Sequence, residues 1–158
     1  MATAKIRRAQ KYEIYNHRIL GISAHKFLTL AKSDEIEGKY YALAAVLFSF
    51  MAFEGYLNWL GSRIAENVWR NERDFFSRPP FKGTLGKFSY LVTLLHLEMP
   101  DPSKGPYQTA LEVHRLRDSI AHTTPEYGEN EVEFPPGNFP PMYRGKLAKR
   151  ITTKTAQR

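Results

Sequence analysis

The 158-residue chain contains no cysteine. This excludes disulfides, zinc–thiolate sites and thiol catalysis, and it suits a reducing compartment. No HExxH helix, no GxxxxGK[ST] loop and no GxSxG elbow occurs, so metalloprotease, nucleotide-hydrolase and α/β-hydrolase chemistry lack their motifs. Paired carboxylates of metal-site type are absent as well, and the expectation is a protein with neither metal nor cofactor. Long apolar runs are scarce. The longest uncharged one, residues 40–53, falls short of the ~20 that a membrane-spanning helix needs, and Glu54, Asn58 and Arg63 follow it. That run is expected to be a helix buried nearly all round, not a membrane span. The basic first residues have no apolar stretch behind them, so no secretory signal is expected and the chain reads as cytoplasmic.

A formal net charge of +7 is present but unevenly spread. Lys5, Arg7, Arg8 and Lys11 open the chain. Beyond Phe134 come Arg144, Lys146, Lys149, Arg150, Lys154 and Arg158 without a single acid. Clustered cations attract phosphate backbones irrespective of sequence. Lys146, Lys149 and Arg150 are the candidate nucleic-acid contacts, and a solubilising tail is the other reading of the same residues.

Apolar periodicity predicts an all-α fold. A first helix is expected over residues 3–31, weakened or bent at Gly21. Asp34 followed by Glu37 fits a capping box before a central helix that runs to about Trp69. Residues 71–81 read as a connector with one short helix. Thr84 is the expected cap of a helix whose apolar face is Leu85, Phe88, Leu91, Val92, Leu95 and Met99. A last helix opens near Pro106 and buries Ala110, Val113, Leu116 and Ile120. From residue 129 to 158 the chain is proline-rich and then basic, without periodicity. The simplest architecture is an antiparallel up-and-down bundle of four to five helices over residues 1–128, followed by an irregular tail over 129–158.

The chemistry concentrates at the end of the last helix, in Leu116-Arg117-Asp118-Ser119-Ile120-Ala121-His122. Successive helical residues turn by ~100°, so Asp118 and His122 share a face, with Arg115 near the same direction and Ser119 on its edge. Arg117 projects beside that face and reaches it by leaning. An Asp118–His122 pair would fix the imidazole's orientation. Arginine stays charged and matches phosphate geometry with two parallel donors. Arg117, Asp118 and His122 thus suit phosphodiester transesterification, in which a base, an acid and a fixed cation act on one phosphate. A single protomer offers one well-placed histidine, and a two-fold dimer would supply the second proton-transfer group. His17, His25, His96 and His114 stand isolated in the sequence. A histidine at a helix end is also an ordinary cap, and an acid one turn away is an ordinary surface partner. Glu54 and Asn58, one turn apart on the central helix, are auxiliary candidates. As polar groups in an apolar run they need partners, most simply a hydrogen bond between helices. Tyr56, Trp59 and the Phe48, Phe50 and Phe53 group read as core.

The same segment, followed by Thr123-Thr124-Pro125-Glu126, resembles the signature of the HEPN superfamily (higher eukaryotes and prokaryotes nucleotide-binding domain). In that family an arginine, a polar residue and, several positions on, a histidine lie near the end of the last core helix. The central AFEGYLNWL stretch, Glu72-Arg73 and the Lys87-Phe88 helix follow in the family's order, so the resemblance spans residues 40–126. It implies an all-α bundle, usually homodimeric, whose motif residues meet across the two-fold. It also implies a metal-independent endoribonuclease of a toxin–antitoxin or other defence system. Under it Arg117 would stabilise the scissile phosphate, His122 would be the acid/base, and Asp118 would hold the place where asparagine is frequent. Other members bind nucleic acid, nucleotides or a protein without catalysis, including partners of nucleotidyltransferases. An antitoxin or a nucleotidyltransferase is therefore an expected partner class, beside RNA and a second copy of the chain.

Overall fold

A computed structural model describes residues 14–34 and 36–122. These form α1 (Asn16–Ser33), α2 (Gly38–Ile64), α3 (Glu66–Trp69), α4 (Glu72–Phe75), α5 (Gly83–Leu94) and α6 (Gly105–Ala121). No strand occurs among the described residues. The expected first helix is seen from Asn16 onward and runs through Gly21 without interruption. Residues 1–13 and 123–158 lie outside the description, and with them the expected tail contacts Lys146, Lys149 and Arg150.

α1 and α2 form a hairpin. On α1, Leu20, Ala24, Phe27 and Ala31 recur at the three- and four-residue spacing that places them on one side. Phe27 stacks on Tyr41 and Phe48, while His17, near the other end of α1, meets Tyr56 and Trp59. Falling numbers on α1 against rising numbers on α2 make the pair antiparallel. In the connecting turn, Asp34 Oδ1 accepts from the N–H groups of Ile36 and Glu37 at 3.0 and 2.8 Å. Only half of the expected capping box forms, because the Asp34 N–H donates to the Leu30 carbonyl that closes α1. The helix itself starts at Gly38.

α2 is the common partner of α1, α3, α5 and α6. Two apolar clusters divide its length. Ala42 and Val46 pack with Ala31 of α1 and with Leu116 of α6, flanked by Val113 and Ile120. Nearer its C-terminus, Leu57 packs with Ala65, Trp69, Phe76 and Leu91. Each large side chain so buried contributes about 1.5–3 kcal/mol, so the clusters account for α5 and α6 lying where they do. Burial all round α2 is not observed: Tyr40, Met51, Tyr56 and Ile64 are exposed. α2 is 27 residues long and, by length and composition alone, is apolar enough to cross a membrane.

The expected continuation of α2 to Trp69 fails at Ala65, whose backbone leaves the helical region (φ −143°, ψ 49°). After the break the Trp69 ring packs against Gly61, where a Cβ would overlap it. Burying an indole beside Phe76 outweighs the few hydrogen bonds lost at one helical turn. α5 begins at Gly83, with Lys82 at the cap position and Thr84 already inside and buried. Thr84 is therefore not the cap. α5 ends at Leu94, leaving Leu95 and Met99 beyond it and exposed. Before α6, Asp101 accepts from the Ser103 hydroxyl and N–H and lies beside Lys104, and these contacts hold its carboxyl below the usual range. That contribution is present above the ordinary carboxylate pKa and fades as pH falls through the lowered one.

Two alanine substitutions are expected to act in opposite directions. Gly61→Ala should destabilise by about 1–3 kcal/mol through overpacking against Trp69. Gly21→Ala, with nothing near its Cβ, should stabilise by about 0.5–1 kcal/mol. Urea unfolding followed by circular dichroism measures both, and equal effects would contradict the close approach of Trp69.

Candidate active-site cleft

Between the two clusters of α2 sits Phe50, buried on the helix face turned to α6. The His114 ring lies 5.5 Å from it and the Arg117 guanidinium 5.4 Å. An open cleft of about 650 Å³ rises from this floor, within the usual range for a small-molecule or nucleotide site. α2 contributes Phe50 and Glu54, α4 contributes Glu72 and Arg73, and the start of α5 contributes Lys82, Thr84 and Lys87. α6 contributes His114, Arg117, Asp118 and His122.

The expected trio of Arg117, Asp118 and His122 therefore opens onto one cavity, together with Glu54. The pairing inside the trio differs from expectation. Asp118 faces backward along α6, with Oδ2 3.0 Å from His114 Nδ1 and Oδ1 accepting from Arg117 Nη1 at 2.9 Å. The contact with Nδ1 is out of line for an N–H donation, and Nδ1 is enclosed without a hydrogen-bond partner. His122 does not pair with Asp118 through its ring, because α6 ends at Ala121 and His122 is its cap (φ −120°, ψ 34°). Its N–H donates to the Asp118 carbonyl at 3.0 Å. Beyond the last helical residue the four-residue register is lost, whereas toward the N-terminus it is intact and side chains lean that way. His114 was thus not isolated.

The Arg117–Asp118 pair is about two-fifths exposed on both sides. Such a pair is worth at most about 1 kcal/mol, so the guanidinium is readily re-aimed toward a competing phosphate. Lys87 is held differently. Its ammonium is buried, donates to Asn58 Oδ1 at 2.8 Å and to Glu72 Oε2 at 3.4 Å, and lies 3.7 Å from Glu54 Oε1. Asn58 also accepts from the Trp69 indole N–H at 3.4 Å. Asn58 makes the expected hydrogen bond between helices, and Glu54 is both a cleft wall and a partner of Lys87.

Arg115 is exposed and lies off the cleft, and the Ser119 hydroxyl donates to the Leu116 carbonyl. Neither joins the site. Sequence reasoning passed over Lys87, whose signal was a cation on the same helical face as Leu91 and Thr84. His114, one turn before Asp118, carried its signal in plain spacing. Tyr56, expected in the core, is largely exposed beside His17 and Trp59. No three His, Asp or Glu side chains among the described residues are grouped as a metal would require. No family model matches the chain, and no curated protein or solved structure does either.

Lys87→Met should retain the packing of the stem but leave Asn58 Oδ1 with only the longer bond from the Trp69 indole and two carboxylates without their shared cation. A loss of about 1–3 kcal/mol is expected in urea unfolding, partly recovered by adding Glu72→Gln. Unchanged stability in Lys87→Met would contradict the assigned bonding.

Proposed function

We propose that the chain is a metal-independent endoribonuclease of HEPN type, cytoplasmic and acting as a toxin or other defence component. Its helices form an antiparallel up-and-down bundle over residues 1–128, and the basic tail over 129–158 adds non-specific attraction for RNA. The assembly is a homodimer, and an antitoxin or a nucleotidyltransferase is its partner class. One observation carries the reading: Arg117, Asp118 and His122 face a single cleft whose rim also bears Arg73 and Lys82. Fixed cations and an imidazole around a cavity of nucleotide size fit a phosphodiester substrate.

In the reaction an imidazole removes the proton of the ribose 2′-hydroxyl, and the 2′-oxygen forms a bond to phosphorus. Arg117 turns from Asp118 to the non-bridging oxygens and stabilises their added charge. The bond from phosphorus to the 5′-oxygen breaks, and that oxygen takes a proton from an acid group. The products are a 2′,3′-cyclic phosphate and a 5′-hydroxyl.

A second reading is favoured by the acids in the cleft. Glu54, Glu72 and Asp118 offset much of its positive charge, which suits a non-catalytic module that binds nucleic acid, a nucleotide or a protein. It predicts binding that weakens steeply with salt and no turnover.

Incubation of RNA with the chain in EDTA separates the two readings. Cleavage leaving 2′,3′-cyclic phosphate ends is expected, lowered at least about a hundredfold by Arg117→Ala or His122→Ala with the fold retained. Wild-type rates in both variants would remove the assigned site.

A further inference from the structure

We infer that His114 is the second proton-transfer residue of the cleft, so that each protomer holds a complete acid–base pair, His114 and His122, around Arg117. This rests on the ribonuclease reading and changes where its chemistry is assembled. The motif by itself supplies one histidine per chain and leaves the second to a dimer partner. The cleft supplies both, one from α6 and one from its cap.

Three observations carry the assignment. His114 lines the same cavity as Arg117 and His122. Its ring is fixed on two sides, by Phe50 at 5.5 Å and by Asp118 Oδ2 at 3.0 Å from Nδ1. Nδ1 is enclosed, so Nε2 is the ring nitrogen left for proton exchange. An imidazole held between an aromatic ring and a carboxylate is restricted in its rotation, as an acid/base histidine requires. An ordinary surface pair one turn apart would leave both nitrogens to water.

The shared cleft also suits displacement at phosphorus. His114 lies within α6 and His122 at its cap, with Arg117 between them in sequence. Two imidazoles lining the same cleft as the arginine can flank a phosphate that it holds. One takes the 2′-hydroxyl proton and the other gives a proton to the departing 5′-oxygen, so no co-reactant is needed. Asp118 is then a positioning residue for the His114 ring as well as the resting partner of Arg117.

The test uses the full chain. His114→Gln and His114→Phe, the latter keeping a ring against Phe50, are each expected to lower RNA cleavage at least about a hundredfold with unfolding midpoints near wild type. Wild-type rates in whichever of the two remains folded would overturn the inference. Chains carrying His114→Gln and His122→Gln are then coexpressed with different tags and purified through both. Inactivity of this mixed species is expected, since neither chain retains both histidines. Recovery of roughly half the wild-type rate would show one histidine acting from each chain of a two-fold dimer and would overturn the single-protomer pair. Active wild type that yields no doubly tagged species supports it. Absence of cleavage by the wild-type chain would remove the ribonuclease reading itself, an outcome distinct from the others.

Discussion

An ammonium group taken out of water must be met by acceptors from several directions, and the Lys87 ammonium is met from α2 and α4 at once. Asn58 and Glu54 approach from the central helix and Glu72 from the short α4, around a side chain that is 8% exposed. Charge burial costs several kcal/mol per ion when unmatched, so the bonds act as a positional constraint more than as a net source of stability. They fix the start of α5 against α2, and with it Lys82 and Thr84 on the cleft wall. Trp69 shares Asn58 with Lys87, which ties the break at Ala65 to the same point. The wall of the cleft and the end of the central helix therefore depend on one polar cluster.

The opposite wall depends on apolar packing. Leu116 anchors α6 into the cluster of Ala31, Ala42 and Val46, and Arg117, next to it in sequence, is then turned toward Phe50 and the cavity. The two walls are unlike in stiffness. Lys87 is enclosed, whereas Arg117 and Asp118 are joined by a weak, half-exposed pair. Under the proposed reading, a rigid wall facing a re-aimable arginine would let a substrate phosphate displace Asp118 from the guanidinium while the rest of the cleft keeps its shape.

Legibility in the sequence followed the physics of periodicity. Val113, Leu116 and Ile120 announced the buried side of α6, and Pro106 marked its first turn. The end of the helix near His122 was equally readable from Thr124 and Pro125. What periodicity could not show was long-range. The break at Ala65 exists because Trp69 finds Gly61 and Phe76, a contact between residues that local propensity does not couple. Thr84 looked like a cap because its hydroxyl suits one, yet packing drew it inside α5. Of the site, Arg117, Asp118, His122 and Glu54 were legible, and Asn58 was legible as a bridge between helices. The direction in which Asp118 turns was misjudged, since His122 lies where helical geometry has ended. Lys87 was hidden by its type: a lysine on an apolar helix face is ordinarily read as reaching for solvent.

The central claim is that His114 of α6 and His122 at its cap act on one phosphate. It is tested most directly by observing the imidazole nitrogens of the five histidines by NMR while a 2′-deoxy-substituted, uncleavable oligoribonucleotide is added. The account predicts that His114 and His122 shift together and saturate at the same ligand concentration, while His17 and His96, which do not line the cleft, stay in place. Saturable binding that leaves both His114 and His122 unmoved would contradict it.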